Sequence, residues 1–151
     1  MAYDSPNIKE ILINKAKDAS KNAYAPHSKF KVGAAVLTEN GKIYTGCNVE
    51  NASYGLTICA ERNAIFSAVA HEGPHMRLKM IVVSTNPQVS LASSCGACRQ
   101  VISEFASKDT RIIFPKEGDY IDVSLEEILP LQFVFVAPFT EKAVHKNNSP
   151  S

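Results

Sequence analysis

No block of one charge interrupts this chain. Its 16 basic and 15 acidic residues are spread along the sequence and leave a formal net charge of +1, so the basic footprint that a nucleic acid requires is missing. No apolar run approaches the roughly 20 residues that cross a bilayer. The opening Met1-Ala2-Tyr3-Asp4 is not a basic segment followed by an apolar one, and so lacks the pattern of an export signal. These absences predict a cytoplasmic protein with neither nucleic acid nor membrane among its partners, and favour a small neutral substrate over a polyanion. Also missing are an internal repeat, a low-complexity tract and a linker. At 151 residues, with 45% hydrophobic and 21% charged, the chain has the composition of one compact domain with a real core. We place that domain at residues 1–140, with a polar, loose tail over 141–151. Without an export signal, the four cysteines point to metal binding or chemistry rather than to disulfides.

Periodicity supplies the elements. Ser5-Pro6 reads as a helix start, followed at helical spacing by Ile8, Ile11, Leu12, Ala16, Ala19 and Ala23. Phe30 to Leu37 and Lys42 to Val49 flank Asn40-Gly41, a strong hairpin signal. A second helix starts close to Cys59, with Ile58, Ala60, Ala64, Ile65, Ala68 and Val69 on or near one face. Leu78 to Ser84 is a β-branched-rich strand, Ser93 to Gly96 a loop, and Cys98 to Phe105 a helix. Arg111 to Phe114 and Tyr120 to Val123 are short strands, and Ser124-Leu125-Glu126-Glu127 is a capping box opening a last helix that stops at Pro130. The order α-β-β-α-β-α-β-β-α predicts an α/β fold of three layers, α/β/α, around a central mixed five-stranded sheet.

Cys95-Gly96-Ala97-Cys98 has the gap that lets two sulfurs reach one tetrahedral zinc, and Cys59 is a candidate third ligand. Alone, such a pair is equally a redox dithiol or half of a structural zinc site. Both cysteine segments fall at predicted helix starts, where unpaired N–H groups and the helix dipole stabilise thiolates. Glu61 sits at the mouth of its helix, either as a carboxylate facing an open metal position or simply as a favourable first-turn acid. A closed four-cysteine site that includes Cys47 would exclude water. But Cys47 lies inside a predicted strand with no close-spaced second ligand, and reads better as a buried, unreactive thiol.

Cys59-Ala60-Glu61-Arg62 followed by Cys95-Gly96-Ala97-Cys98-Arg99-Gln100 resembles the paired zinc motif of the small cytidine deaminases. The resemblance extends through Phe30-Lys31-Val32-Gly33-Ala34-Ala35 and Gly46-Cys47-Asn48-Val49-Glu50-Asn51-Ala52 to Glu127-Ile128-Leu129-Pro130, roughly residues 10 to 133. It implies one zinc per chain on Cys59, Cys95 and Cys98, in the three-cysteine branch of the family, with no histidine ligand. It further implies hydrolytic deamination of cytidine and deoxycytidine in pyrimidine salvage, with Glu61 shuttling the protons. Three thiolates leave the centre near a charge of about −1, and Arg62, by resemblance, donates to ligand sulfurs and withdraws part of it. Asn48 and Glu50 would bind the ribose, Phe30 would pack on the nucleoside, and the Ala60 backbone would touch the base. Read without the family, Asn48 and Glu50 are a solvated strand end and Phe30 is core. The branch is homotetrameric, and Phe133 would then reach a neighbour's site. Gln100 reads as structural support. One position departs from the family: Ser94 stands where a proline usually precedes the first cysteine of the pair, which leaves that loop freer. Two other readings remain: a relative acting on another aminopyrimidine nucleoside such as blasticidin S, and a non-catalytic zinc-stabilised binding module.

Overall fold

The computed structural model describes residues 7–135. Helix α1 (Ile8–Lys21) leads into β1 (Lys31–Thr38) and β2 (Ile43–Cys47), followed by α2 (Ala60–Glu72), β3 (Leu78–Asn86), α3 (Gly96–Phe105), β4 (Ala106–Lys116), β5 (Asp119–Ser124) and α4 (Leu125–Ile128). A 3-10 turn at Tyr54–Leu56 is the one addition to the predicted order. The strands form one sheet in the order β2-β1-β3-β4-β5. The β3–β4 pair is parallel and the other pairs are antiparallel, so the sheet is mixed, as expected.

Alternation along the strands explains the layers. Successive side chains of a strand point to opposite faces, and the central strands are apolar at both parities. Ala35, Leu37, Val82 and Ile113 cluster with Leu12 and Ala16 of α1. Ala34, Val36, Ile81, Val83, Ile112 and Phe114 cluster with Ala60, Ala64, Ile65 and Ala68 of α2 and Ile102 of α3. Helix α1 thus covers one face while α2 and α3 cover the other, which is the three-layer arrangement. Two glycines set how closely the layers approach. A Cβ at Gly33 would lie 2.0 Å from the Ala16 carbonyl oxygen of α1, and one at Gly46 would lie 2.4 Å from the Ala64 nitrogen of α2. Only hydrogen fits at either contact. Gly46 therefore fixes the height of α2 over β2, and with it the helix start that carries Cys59 and Glu61.

Several boundaries differ from the sequence reading. Helix α1 starts after Asn7; Ser5, Pro6 and the predicted tail over 141–151 lie outside the described residues. Strand β1 starts after Phe30, because Lys29 takes a positive φ of 59° and the Phe30 N–H turns back to the Ser28 hydroxyl. Strand β2 ends at Cys47: the Asn48 N–H still donates to the Val32 carbonyl at 3.1 Å, but the return bond from the Val32 N–H, at 2.8 Å, is accepted by the Asn48 side chain instead of its carbonyl. Strand β4 runs from Ala106 rather than Arg111. Its polar start is a bulge in which Leu78 pairs with Ala106 but Met80 with Arg111, held by the Thr110 hydroxyl donating to the Leu78 carbonyl at 2.6 Å. Helix α3 starts at Gly96, two residues earlier than read, with Cys95 as its N-cap.

Candidate active site

Both ligand segments are helix N-caps. Cys59 caps α2 and Cys95 caps α3, its Sγ accepting from the Cys98 N–H at 3.4 Å. The two helices lie on the same face of the sheet, so their positive ends converge and favour sulfur in its anionic form. The Sγ atoms of Cys59, Cys95 and Cys98 all lie within 4.8 Å of one another, with Cys59 and Cys95 at 3.9 Å. A tetrahedral zinc with sulfur at about 2.3 Å requires sulfurs about 3.8 Å apart. The donor set and spacing therefore fit one zinc ion. Among the described residues the group comprises these three alone, which leaves a fourth position open. Cys47 is not part of it, and is half-buried rather than the fully buried thiol expected.

The charge in this cluster is not shared evenly. A hydrogen bond from the Cys98 thiol, and then one from Arg62, hold Cys59 down to about 5, against the opposing effect of burial. Cys98, which gives that hydrogen bond, is pushed up in turn, with burial adding to the effect. Negative charge thus settles first on Cys59. Nη2 of Arg62 donates to Cys59 Sγ at 3.5 Å and to the Thr57 carbonyl at 3.4 Å, so the structure brings the guanidinium to one candidate ligand sulfur. Glu61 is 5% exposed. Burial pushes its carboxyl up, while its own backbone N–H and the nearby Ser94 hydroxyl act in the opposite direction.

Cys59, Cys95 and Glu61 open onto a cavity of about 490 Å³ whose wall also includes Phe30, Asn48, Glu50 and Ala60. That size suits a small ligand. A larger cavity of about 670 Å³ lies between α3, β4 and the segment after α4, remote from every sulfur, and carries none of this chemistry. Phe30 is 36% exposed and faces the cavity instead of joining the core. Asn48 and Glu50 are buried, not a solvated strand end. Asn48 ties its amide to the Phe30 carbonyl and the Val32 N–H. Glu50 accepts from the His27 N–H at 2.8 Å and from the Ser28 N–H and hydroxyl. The Ser28 hydroxyl is the main reason its pKa is lowered. Phe133 is exposed and does not line the cavity of its own chain.

The sequence reading missed Ser28, Val32, Thr57, Val83, Thr85, Leu91, Ala92 and Ser93, which complete the wall. Thr85 was discoverable, since ligands gather at the carboxyl ends of parallel strands. It also missed Arg99. Nε of this residue donates to the Ser94 carbonyl, Nη2 to the Ser93 hydroxyl and Nη1 to the Ile128 carbonyl, each at 2.8 Å. Arg99 thereby braces the loop that was expected to be freer without proline.

An α/β/α fold presenting three cysteine sulfurs at two helix ends, with a buried carboxyl beside an open metal position, defines a zinc-dependent hydrolytic deaminase. The family model for the cytidine and deoxycytidylate deaminase zinc-binding region matches residues 6–114, and the chain belongs to that family. It is 43% identical over 125 residues to a cytidine deaminase of Sporosarcina psychrophila, covering 82% of this chain and 90% of that one. It is 40% identical over 126 residues to a cytidine deaminase of Halalkalibacterium halodurans, with 83% and 93% covered. The crystal structure of a cytidine deaminase from Burkholderia pseudomallei superposes with a TM-score of 0.74 at 44% identity, covering 82% of this chain and 98% of that one.

Proposed function

We propose that this protein deaminates cytidine and deoxycytidine to uridine and deoxyuridine, releasing ammonia. The observation that carries the reading is the buried Glu61 carboxyl on the wall of a cavity that also exposes Cys59 and Cys95. Zinc held by the three thiolates supplies a Lewis acid that lowers the pKa of water. Glu61 accepts a proton from the attacking water as the C4–O bond forms, delivers it to ring N3, and then passes the second water proton to the exocyclic amine as the C4–N bond breaks. Its raised pKa brings a carboxyl closer to the range in which it both takes and gives a proton near neutrality. Phe30 offers a face for the nucleoside and the Ala60 backbone lines the ring end. Glu50, a carboxylate at neutral pH whose lowered pKa keeps it ionised further into the acid range, accepts from sugar hydroxyls and repels a 5′-phosphate, which favours nucleosides over nucleotides.

We further read the protein as a homotetramer acting in cytoplasmic pyrimidine salvage. Tyr54, Leu56 and Phe133 are 76%, 65% and 70% exposed, and such apolar surface is suited to contact between subunits. Phe133, away from its own cavity, is then available to a neighbour's. No helix among the described residues is long and apolar enough to cross a membrane. The test is to measure ammonia release and ultraviolet change with cytidine, deoxycytidine and blasticidin S, alongside zinc content. Turnover of the first two with one zinc per chain is the expected result. Zinc without turnover of any nucleoside would reduce the protein to a binding module, and turnover of blasticidin S alone would reassign the substrate.

A further inference from the structure

The wall of the cavity is divided by chemistry. Ala60 and Glu61 come from α2, whereas the apolar Val83, Leu91 and Ala92 come from β3 and the segment that leads into α3. The two hydroxyls on that second side are already engaged, Thr85 accepting from the Val89 N–H at 3.3 Å and Ser93 from Arg99 at 2.8 Å. Leu91 is the unusual member. It is 58% exposed and packs into neither cluster of the core, so the fold alone gives no reason for a leucine there. Its backbone is nonetheless held in place. Leu91 forms a β-bridge with Lys116, the Ala92 N–H donates to the Pro115 carbonyl at 3.2 Å, and the Ser90 carbonyl accepts from the Glu117 N–H at 2.6 Å.

The shape of the base assigns this wall a partner. A cytosine ring carries O2, N3 and the amine along one edge and only C–H groups, at C5 and C6, along the other. C4 is bonded to N3 on one side and to C5 on the other. With C4 toward the sulfurs and N3 toward Glu61 on α2, C5 points away from α2, toward the segment that enters Cys95. A C–H edge offers no hydrogen bond, and apolar side chains leave no polar group unpaired against it.

We propose that Leu91 and Ala92 form the subsite for C5 of the pyrimidine and so decide which 5-substituted cytidines this protein accepts. The inference rests on the deamination reading above, which sets N3 against Glu61.

Leu91→Ala and Ala92→Val, each with zinc content measured, change the room at C5 in opposite directions. The quantity to compare with wild type is the ratio of kcat/KM for 5-iodocytidine to that for cytidine. The electronic effect of iodine on C4 is common to all three proteins and cancels. Leu91→Ala should raise the ratio and Ala92→Val should lower it, each about tenfold, the low end of the range for a methylene-sized change in an apolar pocket. Because Leu91 is exposed, its truncation should leave the melting temperature close to that of wild type. Calorimetry with uridine and 5-iodouridine gives a readout independent of turnover, and the ratio of the two affinities should move in the same directions. Ratios that stay at the wild-type value in either variant would overturn the proposal while leaving the deaminase reading intact. A wild-type protein that turns over no nucleoside would remove both.

Discussion

At the scale of single residues, the geometry separates the three sulfurs that can hold a metal from the carboxyl of Glu61. Glu61 shares a helix start with Cys59 but is not among the three ligating atoms. Glu61→Gln should therefore retain one zinc per chain while kcat falls by about 10²–10⁴, the range for loss of a proton-transfer group; metal analysis beside steady-state kinetics checks both halves. Glu50 makes a different case, because its carboxylate pins the Ser28 turn that leads into Phe30. Its folded pKa lies below the ordinary value of 4.5, chiefly through the Ser28 hydroxyl. A depressed carboxyl pKa means that the folded state binds fewer protons than the unfolded one, so its contribution to stability is present above the ordinary value and fades as pH falls through the depressed one. Glu50→Gln should thus be less stable than wild type at pH 7 and should lose less on acidification below about pH 4.5. Melting curves of the two proteins across that window should converge, and parallel curves would show that the carboxylate does not anchor the turn. The same variant should raise KM for nucleosides more than it lowers kcat.

At the scale of elements, helix placement is controlled by contacts that leave no room for a methyl group. The two glycine contacts allow a paired prediction. Gly33→Ala pushes on α1, across the sheet from the metal, whereas Gly46→Ala pushes on α2 at Ala60 and Ala64. Both should cost about 1–3 kcal/mol of stability, as overpacking does. Only Gly46→Ala should also weaken zinc binding and kcat, since it displaces the helix start bearing Cys59 and Glu61. Equal effects on zinc affinity from the two would mean that the height of α2 does not set the site. Elements whose causes are local were legible in the sequence. Gly41 takes the positive φ of the hairpin turn, at 77°. Ser124 and Glu127 exchange the reciprocal bonds of a capping box, at 2.6 and 3.3 Å. Elements that depend on a distant partner were not. The polar start of β4 reads as loop because its strand character comes from Thr110 reaching Leu78, 32 residues away. Phe30 reads as core because the turn that frees it depends on Ser28, which is itself anchored by Glu50.

For the molecule as a whole, the zinc ligands were legible because three cysteines at two helix starts form a pattern in sequence, whereas Val83, Thr85, Leu91 and Ala92 reach the cavity only through the way β3 and the following loop pass behind it. The same arrangement makes the metal a brace. Cys59 and Cys95 are 36 residues apart in the chain, and α2 and α3 otherwise meet through the core they share over the sheet. Without a cation, the charge that Arg62 and a neighbouring thiol favour on Cys59 has two further sulfurs crowded against it, so the metal-free fold carries an unbalanced cluster. A ligand that binds only the folded state stabilises it by RT ln(1 + [L]/Kd), about 2.7 kcal/mol at a free concentration of 100 Kd. Chelation should accordingly lower the melting temperature by several degrees, and buffered zinc should restore it in proportion to the logarithm of its free concentration. Cys95→Ser should melt like the chelated wild type and no longer respond to zinc. Cys47→Ser, outside the cluster, should bind one zinc and keep the full response. A Cys47→Ser protein that loses its metal, or a Cys95→Ser protein that holds it as tightly as wild type, would break the assignment of the centre to Cys59, Cys95 and Cys98.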